Sequence, residues 1–345
     1  MPSRLTIAAA LLVTFQPALD ACTTFCLRAG DRVVFGRNYD FEIGDGRLMV
    51  NAARLGKKGA IDAGPAWRAR YGSVTFNQFG RGFPMGGMNE AGVVVELMWL
   101  NDARYPQPDA RAPLGVLEWI QYQLDTAGSV ADIIASDARV RIQGQTPLHY
   151  LVSDATGAAA TIEFLDGRLV SRSGASLPAA VLANETYDSS LAFAEARRGT
   201  PLRGWGSHER FARAAAALPG VARAGEGAIA RAFDVLADVA QRSTRWSIVY
   251  DQTARVVHWR TDRHEPVRFL RFDAIGFACA DAPLSIDAHA PIAGDARPHL
   301  TTLTREANHA LVAASTRKTS FTRRTPDAEI AEQAAYGFSS ACGAG

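Results

Sequence analysis

The residues best equipped for chemistry lie near the start of the chain. Cys22 follows the apolar leader "MPSRLTIAAALLVTFQPALDA" and opens "CTTFCLRAGDRVVFGRNYDF". A cysteine where a leader would be cut suits three chemistries: half of a disulfide, a lipid-attachment site, or a nucleophile uncovered by the cut. The third has a physical advantage. A free α-amino group has an unperturbed pKa of roughly 7.7–8.0, against about 10.4 for a lysine. It is substantially neutral near physiological pH and serves as general base for its own thiol. No catalytic histidine is then needed, and none of the seven histidines stands in a recognisable Cys–His context. Such a site exists only after the leader is removed.

Arg4, the apolar run Ile7 to Phe15, Pro17 and the small Ala21 resemble a secretory signal peptide, too short for a permanent anchor. Leu19 stands three before Cys22, where a small residue is usual, and "LDAC" faintly resembles a lipoprotein signal with an ill-fitting Asp20. The chain is therefore expected to be exported, periplasmic or secreted, with no membrane span. Its 345 residues suit one large domain or two modest ones, and 48% hydrophobic with 21% charged residues is ordinary for a globular core. With 37 basic and 35 acidic residues the net charge is +2, which gives no general bias toward nucleic acid or membrane. The one cationic cluster, "TRKTSFTRRT" from Thr316 to Thr325, reads as a solvated helix end or tail rather than a polyanion site.

Four cysteines occur, Cys22, Cys26, Cys279 and Cys342. An even count in an exported chain invites disulfides, but a core this large is expected to need no such staple. There is no C-x-x-C pair and no His/Cys cluster at metal spacing, so neither a zinc site nor a cofactor is expected.

The elements that must position these residues alternate between β runs and paired helices. "TTFCLRA" and "RVVFGRNYDF" flank a "GD" turn and read as a hairpin. "SVTFNQF", "VVVELMWL", "HYLVSD", "AATIEFLDG", "RLVSRSG" and "AAVLANETYD" follow as strands, and "RWSIVYDQTARVVHWRT" as a strand pair, with "EPVRFLRFDAI" as a further strand. "LGVLEWIQYQLDTA" has helical spacing, and "SVADIIASDARV" carries Ser129 as N-cap with Asp132 after it. "SSLAFAEARRG", "HERFARAAAALPG" (closed by Pro219-Gly220), "GAIARAFDVLADVAQ" and "LTREANHALVAAS" are also helical. "EIGDGRLMVN" and "NDARYPQP" read as loops. The pattern predicts an α+β layered fold with antiparallel sheets. One domain over residues 22–325 is expected, after a signal peptide at 1–21 and before a tail at 326–345.

"CTTF" followed by "VVFGRNYDF" is similar to the choloylglycine hydrolase and penicillin V acylase family of N-terminal-nucleophile cysteine hydrolases, which cleave linear amide C–N bonds. The resemblance runs in order through "GGMNEAGVVVELMWL", "VLANETYD", "HERFARAA" and "TRWSIVYD", from Cys22 to about Trp259. It implies a four-layer αββα sandwich, two antiparallel sheets between helical layers, and a nucleophilic Cys22 whose amine is the base. Arg37 and Asp40 match the charged pair beside it: Asp40 to orient the amine, Arg37 to lower the thiol pKa. Three apart on one strand they do not share a face, so a bend or bulge near Asn38 is expected. Asn184 matches the oxyanion donor, and Arg210 a second active-site arginine, with Arg245 as its competitor.

Trp99 stands where bile-salt-cleaving members tend to carry asparagine and penicillin-cleaving members an aromatic. It is expected to wall an acyl pocket, with Tyr39 also binding substrate, while its backbone N–H completes the oxyanion site. The segment between Asn184 and Arg210 is short for the extension that supports tetramers in bile-salt members. Both features turn the expected substrate from conjugated bile salts toward a penicillin V-like or N-acyl homoserine lactone amide. A homo-oligomer acting on a small N-acyl molecule, with no nucleic-acid partner, is implied. Two other readings stay open: an acyltransferase of the acyl-CoA:6-aminopenicillanic acid type, and a non-enzymatic lipoprotein or secreted binding module with Cys22 lipidated or bonded to Cys26 or Cys279.

Overall fold

The N-terminal hairpin is the centre of the molecule. β1 (Thr23–Ala29) and β2 (Arg32–Asp40) pair antiparallel in unbroken register from Thr23 opposite Asn38 to Ala29 opposite Arg32. Gly30 takes φ +63° in the connecting turn, a conformation glycine enters without steric cost. β2 is buried along nearly its whole length, as a strand must be when both faces are covered. Gly36 is needed for that density, because a Cβ there would meet Phe25 Cζ at 2.3 Å. The computed structural model describes residues 22–279 and 282–342, so the expected leader at 1–21 lies outside the described residues.

The hairpin belongs to a seven-stranded sheet, ordered Val181–Leu182, β1, β2, Thr244–Asp251, Val256–Thr261, His264–Arg271 and Gly294–Asp295. A nine-stranded sheet faces it, ordered Arg168–Ser173, Ala159–Leu165, Leu148–Ser153, Val94–Trp99, Pro84–Asn89, Ser73–Asn77, Arg47–Asn51, Leu284–Asp287 and Thr301–Thr302. Aromatic rings close the gap between the two sheets, with Phe76 5.9 Å from Trp246 and 6.0 Å from Trp259. On the outer face of the first sheet, α4 (Ser207–Ala222) and α5 (Ala228–Asp238) pack on β1 and β2, and α3 (Tyr187–Ala196) packs on α4. On the outer face of the second, α1 (Val116–Thr126) covers Pro84–Asn89 and Val94–Trp99, followed by α2 (Val130–Ala135). The αββα arrangement is the one expected. Ser129 caps α2 by accepting from the Asp132 N–H at 3.2 Å.

Several local expectations need correcting. Arg47–Asn51 is a buried strand, not part of a loop, because Leu48 and Val50 pack into the main core and Met49 is buried with them. α4 runs through Pro219-Gly220 to Ala222. Pro219 sits in its last turn at the cost of one ladder bond, and the buried row Arg210, Phe211, Ala214 and Val221 continues across it. The irregularity expected near Asn38 lies one to two residues beyond it and not in β2 itself. The register shift is on the neighbouring strand, between Thr244 and Trp246, opposite Asp40 and Tyr39.

The C-terminal stretch also differs from a tail. α6 (Arg305–Lys318) and α7 (Asp327–Tyr336) pack on each other through Val312, Ile330 and Ala334, a small cluster apart from the main core. Ala341–Cys342 pairs with Leu55–Lys58, and a Cys279–Cys342 disulfide with Cα atoms 5.6 Å apart pins this end. The expectation of no staple is thus corrected: the bridge fastens a segment outside the main core. Among the described residues no helix is long and apolar enough to cross a membrane.

Candidate active site

Cys22 stands at the head of β1, almost fully buried, with its Sγ donating toward the Asp40 carbonyl at 3.7 Å. Cys22 and Cys26 are both free thiols, so the disulfide alternative for Cys22 is not what the fold builds. Cys22 opens on a largely apolar cavity of about 200 Å³ walled by Tyr39, Phe41, Leu97, Trp99 and Leu148. Burial pushes the Cys22 thiol up to about 11, while the Arg37 guanidinium pulls the other way. The expected effect of Arg37 is present, but desolvation outweighs it, so the thiol rests protonated and needs a base.

Arg37 is fully buried, and its charge is committed on one side. It pairs with the equally buried Glu96 and donates to the Met85 carbonyl at 2.8 Å and the Leu97 carbonyl at 3.1 Å. Glu96 also accepts from the Tyr250 hydroxyl. Burial pushes its carboxyl up and the Arg37 guanidinium pulls it back down. Gly86 makes room for this pair: a Cβ there would lie 1.9 Å from Glu96 Oε2. Tyr39 lies under the Arg37 guanidinium at 4.8 Å and stacks on Trp246 at 4.4 Å. Its hydroxyl donates to Gln78 Oε1 at 2.7 Å, so Tyr39 lines the cavity without a free polar tip.

Asp40 closes β2 beside Cys22. Its carboxylate accepts from the Thr244 hydroxyl and from Gln241 Nε2 at 3.2 Å. Burial holds the carboxyl up at about 6, tempered by those hydrogen bonds and by Arg210 and Arg37. The bulge opposite Asp40 is what brings Thr244 to it. Charge and acceptor thus reach Cys22 from separate directions, as alternation along β2 requires.

Arg210 ties the far side together. From α4 its Nη1 donates to the Cys22 carbonyl and to Thr23 Oγ1, both at 2.6 Å, and its Nη2 to Asn184 Oδ1 at 2.8 Å. Arg245 is directed elsewhere, to the Phe41 and Glu42 carbonyls and Asp262, so Arg210 is the arginine at the site. The expected long strand to Asn184 is only Val181–Leu182; the chain leaves the sheet there, and its next turn carries Asn184 toward Trp99. Asn184 Nδ2 donates to the Trp99 carbonyl at 3.0 Å, and with Oδ1 held by Arg210 the amide orientation follows from its partners.

Trp99 faces Leu148 across the sheet, yet the Leu148 N–H goes to the Tyr105 hydroxyl at 2.9 Å, and Leu100 N–H goes to the Pro147 carbonyl at 3.0 Å. Trp99 is thus a non-hydrogen-bonded partner, and its N–H and C=O both turn to the side from which Asn184 approaches. Its indole donates to Asn101 Oδ1 at 2.8 Å, leaving the ring face to the cavity. Five predicted site residues, Cys22, Arg37, Asp40, Asn184 and Arg210, therefore meet around one thiol, with Tyr39 and Trp99 on the cavity wall. Sequence reasoning missed Glu96, Gln241 and Thr244. Glu96 had a signal: it is the one charge in the apolar run "VVVELMWL". The other two had none, being ordinary residues brought in by the bulge and the turn that precedes it.

A family model described as linear amide C-N hydrolases, choloylglycine hydrolase family, matches residues 22–171. A penicillin V acylase of Pectobacterium atrosepticum is 33% identical over 121 residues, covering 30% of this chain and 32% of that protein. The match thus spans about a third of that relative's length. The structure of penicillin V acylase from Agrobacterium tumefaciens superposes with TM-score 0.73 at 25% identity, over 82% of this chain and 98% of that one. A variant of conjugated bile acid hydrolase from Clostridium perfringens shares the fold, with TM-score 0.65 at 14% identity over 77% of this chain and 96% of that one. Residues 22–171, carrying Cys22 through Trp99, thus match the model of the choloylglycine hydrolase family of linear amide C–N hydrolases, and the chain shares the fold of the Agrobacterium tumefaciens penicillin V acylase.

Proposed function

We propose that the mature protein is an exported cysteine amidohydrolase, cut before Cys22, that cleaves a linear non-peptide amide in a small N-acylated molecule. The observation that carries this reading is the Arg210 bridge, which holds the Cys22 carbonyl and the Asn184 amide in one frame beside the apolar cavity. Once freed, the neutral α-amine takes the thiol proton, and the Cys22 thiolate attacks the carbonyl carbon. Asn184 Nδ2–H and the Trp99 N–H donate to the oxyanion; one such donor is typically worth roughly 2.7–4 kcal/mol. Collapse breaks the C–N bond, and the leaving nitrogen takes its proton from the α-ammonium. Water, giving a proton to the same amine, then hydrolyses the acyl thioester, and the ammonium returns that proton to the sulfur. Asp40 orients the ammonium, and Arg37 favours the thiolate.

The cavity supports a compact apolar acyl group, as in penicillin V or an N-acyl homoserine lactone, over a bile acid. At about 200 Å³ it is smaller than the roughly 300–1,000 Å³ usual for drug-sized ligands, and its walls are flat rings. Purified mature protein offered penicillin V, N-acyl homoserine lactones and glycine-conjugated bile salts is expected to release free acid from the first two classes. Intact mass should show a chain starting at Cys22 with a free thiol. Cys22→Ala should lower the rate by at least about 10⁴-fold. An added diacylglycerol mass, transfer only to an acceptor amine, or full activity in Cys22→Ala would overturn the reading.

A further inference from the structure

The stretch Thr316–Thr325, expected as a solvated helix end or tail, begins as the end of α6 and then returns to the cavity. Thr316, Phe321, Thr322 and Thr325 line the same space as Cys22, together with Gln333 of α7. The Phe321 ring lies 5.9 Å from Trp99 and 6.4 Å from Phe41, yet Phe321 remains 49% exposed. A ring that touches two cavity walls on one side and water on the other is a cap.

The backbone that presents it is held from both ends. Within the segment, the Arg323 N–H donates to the Thr319 carbonyl at 3.0 Å and the Thr322 hydroxyl to the Thr316 carbonyl at 2.9 Å. Outward, the Ser320 N–H donates to Glu42 Oε1 at 2.8 Å and Lys318 pairs with Asp45 at 2.6 Å. Glu42 and Asp45 follow β2 directly, so the cap is fastened to the loop leaving the Cys22 hairpin. Arg317 and Lys318 are taken up by Asp327 and Asp45, and what the segment shows the cavity is the Phe321 ring and threonines.

We propose that Phe321 closes the acyl end of the Cys22 cavity and sets the length of acyl group the protein accepts. This rests on the amidohydrolase reading and adds to it a specificity-determining residue from outside the matched family segment. With Phe321 in place the cavity takes a compact acyl group; a longer chain must pass where the ring now stands.

The test is kcat/KM for hexanoyl, octanoyl, decanoyl and dodecanoyl homoserine lactones with the mature enzyme, Phe321→Ala and Phe321→Trp. Phe321→Ala should raise the dodecanoyl-to-hexanoyl ratio about tenfold, chiefly through KM, and Phe321→Trp should lower it. Equal scaling at every chain length in both variants overturns the proposal. Calorimetric binding of the corresponding free fatty acids, in a Cys22→Ala background with and without the Phe321 changes, separates it from the parent reading. If no amide is cleaved but the acids bind with a length preference that shifts with residue 321, the amidase reading fails and the role of Phe321 stands. Acid binding indifferent to residue 321 sinks the proposal whatever the activity.

Discussion

Two hairpins meet at the Cys22 cavity, and they are built on opposite principles. The β1–β2 hairpin lies mid-sheet with Arg37, Asp40 and Cys22 buried, its charges met by Glu96, Thr244, Gln241 and Arg210. The α6–α7 hairpin lies outside the main core, with its own small apolar cluster. Polar tethers attach it: Arg81 Nη1 to the Gly337 carbonyl at 2.9 Å, Gln333 to the Phe79 carbonyl at 2.8 Å, and Tyr336 to Glu118 at 2.6 Å. The first hairpin cannot move without uncovering buried charge. The second uncovers few apolar side chains of its own when it shifts, giving up the buried Arg81 bond and two partly buried ones. Groups that must hold a thiol to within fractions of an ångström sit in the rigid one, and the wall that meets a variable acyl group sits in the adaptable one.

The sharpest way to break this contrast is to strike the rigid hairpin. Glu96→Gln leaves Arg37 buried without its counter-charge, and removing one partner of a buried pair typically costs about 3–5 kcal/mol. Denaturant unfolding should show that loss as a lower midpoint at unchanged slope. A midpoint within error of wild type would mean that water reaches Arg37 and the hairpin is not the rigid element described.

A somewhat smaller effect should come from Asp40. Burial raises its carboxyl from 3.8 to about 6, so the protonated form is the one the fold favours. Its contribution to stability is therefore fully present below about pH 4 and is lost as pH rises to about 6, an effect of about 3 kcal/mol at most. Asp40→Asn should flatten the stability profile over that window and still abolish most activity. A wild-type profile that already rises with pH there, with Asp40→Asn no flatter, would contradict the burial cost.

The mildest change belongs to the adaptable hairpin. Replacing Cys279 and Cys342 together by serine should cost about 2 kcal/mol, the low end for a bridge of this kind, because the Ala341–Cys342 pairing and the Arg81 bonds remain. Hydrogen exchange should speed up over 305–342 and stay unchanged over 23–40. Faster exchange in both would show the two hairpins to be one cooperative unit.

Much of the site was legible before folding. A cysteine at a leader junction, the Arg-x-x-Asp on the partner strand, and Asn184 and Arg210 in later blocks all stand at the thiol. The choice between Arg210 and Arg245 was not legible: both are single arginines next to apolar runs, and only helix packing aims one at Cys22. Thr244 and Gln241 were invisible because a bulge and the turn before it, not a sequence pattern, bring them to Asp40. The C-terminal segment misled for a related reason. Its polarity is that of a tail, since a satellite hairpin buries few side chains and is held by backbone carbonyls, which any residue supplies.

Residue type and order by themselves determined the nucleophile candidate, the β1–β2 hairpin, and the layered α+β class, because these depend on local chemistry, on turn residues and on periods of two and 3.6 residues. Tertiary structure alone decided the thiol's protonation, the partner of Arg37, the orientation of the Asn184 amide and the placing of Phe321 over the cavity. Each of these is a balance of desolvation, charge and contact between residues far apart in the chain, and such balances exist only once the sheets have closed on one another.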